Sequence, residues 1–172
     1  MALLRRHEQG QGDSARYRMQ EKIFSIGDDY WIENDRGERV FKVDGKALRV
    51  RDTMIIEDRG GAELYKVQQK KLRVHETMEI ERGRHAVATV KKALIAPLRQ
   101  RYKVEVRDSD DLEVHGNIVD HEYSIERGGK KIAEVSKRWF RVRDTYGIEI
   151  SPGQDDALIL AVTSCLERMS HE

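Results

Sequence analysis

Residues 155–169 read DDALILAVTSCLERM, and they decide the fold. From Ala157 to Leu166 there is no charged residue and no polar stripe. A helix at the surface of a domain shows one apolar face, whereas a helix that is apolar all round is buried all round. Gln154, Asp155 and Asp156 stand at its start, where negative charge suits the exposed amides and the helix dipole, and Arg168 suits the opposite pole.

Working outward, everything before this helix reads as short strands. In RYKVEVR, Tyr102, Val104 and Val106 point one way and Lys103, Glu105 and Arg107 the other. TMEIER and EYSIER, at 77–82 and 122–127, repeat the alternation. Period two with one wet face is the mark of a half-buried antiparallel strand. Between the strands lie Asn-Asp-Arg-Gly at 34–37, Asp-Arg-Gly-Gly at 58–61, Asp-Ser-Asp-Asp at 108–111 and Arg-Gly-Gly at 127–129. Gly, Asn and Asp accept positive φ at little cost and close hairpins. About twelve strands are expected before Ser151-Pro152-Gly153 and the helix. A helix of ~14 residues is ~21 Å long and a strand of ~6 residues ~20 Å, so one helix fits inside one closed sheet. The reading is therefore mainly β: a closed antiparallel barrel of about twelve strands around a central hydrophobic C-terminal helix. Closure also removes the edge strands that invite aggregation.

Composition bounds the rest. The chain has 172 residues, 32 basic and 31 acidic, and a formal net charge of +1. That is not a global nucleic-acid footprint, which would be strongly basic, and no nucleic acid is expected as a partner. The single cysteine, Cys165, excludes an internal disulfide, fits a reducing compartment, and behaves as a small hydrophobe in the buried helix. The apolar run of about ten residues falls short of the ~20 that a membrane-spanning helix needs. Residues 1–16 lack the apolar core of a secretory signal and are expected as a disordered leader ahead of a single domain, 17–169. The expected location is cytoplasmic, with membrane contact at most peripheral.

The chain also repeats itself. Leu48-Arg49-Val50-Arg51-Asp52-Thr53-Met54 returns as Leu72-Arg73-Val74-His75-Glu76-Thr77-Met78 and as Phe140-Arg141-Val142-Arg143-Asp144-Thr145-Tyr146. Each copy follows a hydrophobic strand (40–43, 64–67, 132–135) and precedes an Ile-Glu pair at 56–57, 80–81 or 148–149. This reads as one hairpin-and-corner unit duplicated around a barrel.

With these motifs in hand, the chain resembles the LURP-one-related family, its bacterial-type members in particular. The resemblance is carried by RYRMQEKIFSIGDDYWIEN, VFKVDGKALRVRDT, KKLRVHETMEIER, VHGNIVDHEYSIER, EVSKRWFRVRDTYGIEI and DDALILAVTSCLERM, and runs from about Arg16 to Met169. It implies the fold shared with the tubby C-terminal domain and the phospholipid scramblases, a twelve-stranded barrel around a C-terminal helix. Tubby proteins bind phosphoinositide head groups through basic residues on the wall, but their motif has no residue-by-residue match here. Scramblase function is not carried over, because a further membrane helix and a palmitoylation cluster are both missing from this sequence.

Candidate site residues are basic. Lys70, Lys71 and Arg73 form one cluster, and Lys137, Arg138, Arg141 and Arg143 another, which encloses Trp139 and Phe140. Lys91 with Lys92, and Arg99, Arg101 and Lys103, form two more. Phosphate-bearing head groups want several Lys and Arg held close. Long charged stems also cover apolar barrel wall. His115, Asp120, His121 and Glu122 straddle a hairpin without the preorganised set a structural zinc wants, and Asp108, Asp110 and Asp111 lack the Gly and Glu of a calcium loop, so no metal is expected. No G-x-S-x-G elbow, P-loop or dinucleotide motif is present, so no cofactor and no catalytic residue is assigned. The expected function is a non-enzymatic module whose outer wall binds phospholipid head groups or another anionic surface. A protein-interaction or scaffold domain is the alternative, and a hydrolase-type enzyme the remote one.

Overall fold

In the computed structural model, residues 12–20, 29–44, 53–70, 76–94, 100–140 and 143–170 are described, with backbone alone at 93, 94 and 100. Among the described residues, twelve strands precede one α-helix. They are β1 (Ala15–Gln20), β2 (Tyr30–Asn34), β3 (Arg39–Asp44), β4 (Thr53–Asp58), β5 (Glu63–Gln69), β6 (Thr77–Arg82), β7 (His85–Leu94), β8 (Gln100–Val106), β9 (Leu112–Asn117), β10 (Glu122–Arg127), β11 (Lys130–Ser136) and β12 (Thr145–Ile150). A short 3-10 turn, Lys137–Trp139, follows β11, and helix α1 spans Asp156–Ser170. Each strand pairs antiparallel with the next, and β1 closes on β12, giving a barrel. The expected twelve-stranded enclosure of the helix is what the chain forms. β1 begins at Ala15, two residues ahead of the expected start at Tyr17.

The strand alternation sorts inside from outside. Val43, Ile56, Val67, Ile80, Val104, Val135 and Ile148 face inward and are buried. The three repeat copies share one register: Val43 pairs with Ile56, Val67 with Ile80, and Val135 with Ile148. A second repetition appears only in the structure. The ladder shifts by one residue at Ile32/Glu33, Ile56/Glu57, Ile80/Glu81 and Ile125/Glu126, each time just before a hairpin turn. Such bulges sharpen the twist, which helps a sheet curl into a closed barrel.

Because all neighbours are antiparallel, the connections fall at two ends. The turns β2–β3, β4–β5, β6–β7, β8–β9 and β10–β11 lie at one, called here the hairpin end. The links β1–β2, β3–β4, β5–β6, β7–β8, β9–β10 and β11–β12 lie at the other, the corner end. Hairpin turns are closed by side-chain caps: Asn34 Oδ1 accepts from the Arg36 and Glu38 amides, and Asp58 Oδ1 from those of Gly60 and Ala62. In β10–β11, Gly128 and Gly129 both take positive φ (57° and 76°), which a two-residue hairpin of this twist requires.

α1 enters at the hairpin end and finishes at the corner end. Leu160, Val162, Cys165 and Leu166 are fully buried, while Leu158 is only half-buried. Its two internal hydroxyls are satisfied within the helix, Thr163 Oγ1 donating to Ile159 O (2.9 Å) and Ser164 Oγ to Leu160 O (2.8 Å). At its start Asp155 is the N-cap, accepting from the Leu158 amide at 3.0 Å. Asp155 also accepts from the Tyr65 hydroxyl and from Arg82, and Asp156 accepts from the Tyr17 hydroxyl. At the other end Glu167 is buried: Tyr123 donates to its Oε1 at 3.0 Å, and His121 Nδ1 lies 2.8 Å from its Oε2. The His121 ring stacks on Tyr146, and Lys92 Nζ donates to the Met169 carbonyl at 3.1 Å.

The wall is not uniform. β1 and β2 pair only at Tyr17–Asn34 and Arg18–Glu33, and β8 and β9 only at Lys103–Glu113 and Val104–Leu112. Both short ladders sit toward the hairpin end. Where the first stops, the Tyr30 hydroxyl donates to the Arg18 carbonyl at 3.3 Å, inserting a side chain where the backbone rungs end.

Candidate functional site

The basic residues singled out by sequence fall into two groups on opposite sides of the barrel. β5 carries Lys70 at its end and β11 leads into Lys137, Arg138 and Arg143. Five strands separate β5 from β11 in either direction around the wall. The two groups share the corner end but not one patch of wall. Lys71, Arg73 and Arg141 lie outside the described residues, as does Arg99.

Among the described residues most cations on the wall face a carboxylate on a neighbouring strand or at its end. Lys42 lies 3.0 Å from Asp29 and 3.4 Å from Glu57; Lys66 is 3.0 Å from Glu81, Lys70 2.8 Å from Glu79, Lys91 2.8 Å from Glu105, and Lys103 3.0 Å from Asp111. Hydrogen bonding from Lys103 holds the Asp111 carboxyl below its usual range, and Lys66 does the same for Glu81. Such pairs stabilise little, about 0–1 kcal/mol each, but they neutralise the wall.

The β11–β12 corner is different. Ser136 caps the 3-10 turn, its Oγ accepting from the Arg138 amide at 3.1 Å and donating to Glu122 at 3.0 Å. Glu122 Oε1 also accepts from the Lys137 amide at 3.2 Å. Trp139 and Phe140 then fold back over the outer face of β12. A Cβ on Gly147 would meet Phe140 Cε2 at 2.8 Å and Trp139 Cε3 at 2.9 Å, so only glycine fits beneath the rings. The Arg16 guanidinium stands 5.1 Å from the Trp139 ring centre. Asp144, with φ of 59°, turns the chain back into β12. The Arg138 side chain is 83% exposed and 3.7 Å from Glu122, and that of Arg143 is 95% exposed and 3.9 Å from Asp144. Among the described ion pairs these are the two most exposed cations. Beside the corner runs an open groove of about 460 Å³, lined by Glu122, Ser124, Lys131, Glu134, Arg138 and Trp139, which sets two cations against two carboxylates.

The acidic and histidine residues weighed for a metal are dispersed. His115 lies on the outer wall against Glu113 (3.2 Å), Asp120 accepts from the Asn117 side chain (2.6 Å), Glu122 caps the corner, and His121 is buried against Glu167. Among the described residues no group of three or more His, Cys, Asp or Glu is placed to hold a metal ion. The Cys165 thiol is buried inside the barrel and pushed up by burial, away from the thiolate form.

The barrel, its helix and its corners are matched by one family model. The LURP-one-related model covers residues 15–167. The chain belongs to the LURP-one-related family. This LURP-one-related barrel is also similar to the crystal structure of an Arabidopsis thaliana protein: the two are 15% identical, superpose with a TM-score of 0.69, and are covered over 92% of each chain, a likeness of fold. No curated protein matches by sequence. Among the described residues no helix of the LURP-one-related barrel is long and apolar enough to cross a membrane.

Sequence reasoning missed three features. The buried Glu167–His121–Tyr123 group escaped because Glu167 follows the apolar run directly and looks like a solvated helix end. The need for Gly147 is set by rings that arrive from the corner. Val119, in the β9–β10 turn, is the one exposed large hydrophobic among the described residues, 56% exposed.

Proposed function

We propose that this LURP-one-related barrel is a non-enzymatic binding module that takes phospholipid head groups or another anionic surface, working in the cytoplasm and touching membranes only peripherally. One observation carries the reading. Cations on the wall are matched at 2.6–3.4 Å by carboxylates, whereas Arg138 and Arg143 stand out from a capped corner with carboxylates 3.7 and 3.9 Å away; among the described ion pairs of Lys and Arg only that of Arg107 with Asp108, at the hairpin end, is as loose, at 4.0 Å, and it stands alone there. A phosphate that approaches them gains charge-assisted hydrogen bonds and displaces only weak pairs. Lys137 adds a third exposed cation on the same turn. The filled interior supports an external site: the helix occupies the space that a carrier or a deep catalytic cleft would need.

Co-sedimentation with vesicles of phosphatidylcholine alone, with phosphatidylglycerol, and with a phosphoinositide, at low and high salt, tests this. Binding to anionic vesicles that weakens with salt, and that the double variant Arg138→Glu/Arg143→Glu abolishes, is the expected result. Each cation near an anionic surface is worth about 1 kcal/mol, so reversing two charges lowers affinity by at least tenfold. Absence of salt-sensitive binding to every anionic vesicle overturns the proposal.

A further inference from the structure

The two ends of the barrel differ in chemistry, and the topology does the sorting. By sequence, the turns joined at the hairpin end are Asp-Arg-Gly-Glu at 35–38, Arg-Gly-Gly-Ala at 59–62, Gly-Arg at 83–84, Arg-Asp-Ser-Asp-Asp at 107–111 and Gly-Gly at 128–129. None contains an apolar residue larger than alanine, and they hold four Lys and Arg against five Asp and Glu. At the corner end the described residues of the connections include Lys70, Lys137, Arg138 and Arg143, and with them Ile118, Val119, Trp139 and Phe140.

Two of these connections are fully or almost fully described and form one unit. The β9–β10 turn is stiff: the Asp120 amide donates to Asn117 Oδ1 at 3.1 Å, the Asn117 amide group donates to the Asp120 carboxylate, and the His121 amide donates to Ile118 O at 3.0 Å. Ile118 and His121 are buried on either side, so Val119 is held outward. His121 is further fixed by Tyr146 and Glu167. Glu122, the next residue, is the one whose carboxylate caps the β11–β12 corner through Ser136 and the Lys137 amide. An apolar tip and three exposed cations are thereby tied together about 10 Å apart along the rim, two strand spacings. Basic side chains beside a protruding apolar residue match a bilayer, whose anionic head groups lie above an acyl boundary.

We infer that the barrel docks end-on to a phospholipid bilayer through its corner end, with Val119 entering the acyl boundary while Lys137, Arg138 and Arg143 sit at the phosphates. This rests on the anionic-surface reading above and adds its orientation and its apolar contact. The hairpin end, whose turns carry more Asp and Glu than Lys and Arg and no apolar residue larger than alanine, faces away from the membrane.

The test uses the full chain with an environment-sensitive fluorophore on Val119→Cys or, at the hairpin end, on Asp110→Cys. Cys165 is buried and stays unlabelled. With phosphatidylcholine–phosphatidylglycerol vesicles, the label at 119 shifts to the blue and the label at 110 does not. Val119→Asp, with melting unchanged, weakens binding about three- to tenfold, the worth of one small apolar side chain. Salt-sensitive binding with a shift at 110, or with no shift at 119, overturns end-on docking and leaves the anionic-surface reading standing. Failure of both the labelled and unlabelled protein to bind any anionic vesicle overturns both.

Discussion

The hairpin end and the corner end close the same twelve strands around the same helix, yet they are built differently. At the hairpin end the turns are short, and the helix start is held by groups that remain partly in water: Asp155 by its own N-cap bond, by Tyr65 and by Arg82. At the corner end the helix is held by Glu167, His121 and Tyr123, all buried. The difference teaches where stability and recognition lie. A solvated anchor is forgiving. A buried one must be complete, because each charge or polar atom left alone keeps its desolvation cost.

The largest effect comes from breaking what both ends share. Leu160 is fully buried midway along the helix, and Leu160→Asp places a charge without a partner inside the barrel. The variant is expected not to fold, a cost of about 4 kcal/mol or more; a soluble protein with wild-type melting would refute it.

Alkaline pH attacks both ends together. Burial is the leading cause that raises the phenols of Tyr17 and Tyr65 at the hairpin end and of Tyr102 and Tyr123 at the corner end, with Tyr102 pushed up to about 12. The fold therefore keeps the neutral phenol. Below pH 10, the ordinary value, both states are protonated and this stabilisation is complete; above it the unfolded chain loses protons first, and stability falls as pH climbs toward the folded values. Urea unfolding followed from pH 8 upward, with tyrosinate absorbance, shows a plateau and then a steep decline beyond pH 10; a flat profile to pH 11.5 contradicts it.

Single anchors separate the two ends. Glu167→Ala leaves the buried Tyr123 hydroxyl without its acceptor, removes the carboxylate 2.8 Å from His121, and costs about 3 kcal/mol. Asp155→Ala removes an N-cap from a site open to water and costs about 1 kcal/mol. Chemical denaturation of the pair measures the contrast, and equal losses would mean that burial does not set it.

The sequence made the fold legible because two periodicities agreed. Alternation marked the strands, and an all-apolar helix demanded a closed wall. The repeated Leu-Arg-Val-Arg-Asp-Thr corner was legible as well, and its structural meaning is the shared Val–Ile register of three strand pairs. The candidate site was legible only in part. The sequence shows where basic residues cluster, but not that Lys70 meets Glu79 while Arg143 meets only its neighbour Asp144. That depends on which strands lie side by side. Val119 carries no signal of its own, since its exposure results from the burial of Ile118 and His121 beside it. Asn117 and Asp120, which look like ordinary turn formers, turn out to be the clamp that holds it out.

The two short ladders, between β1 and β2 and between β8 and β9, divide the cylinder into unequal shells: β9 to β12 with β1, and β2 to β8. At the corner end, Glu167 takes its partners from the smaller shell, and the Met169 carbonyl takes Lys92 from the larger. The last turn of the helix thus works as a clasp across a clamshell whose hinge is the hairpin end, and it closes the same mouth that carries the exposed arginines.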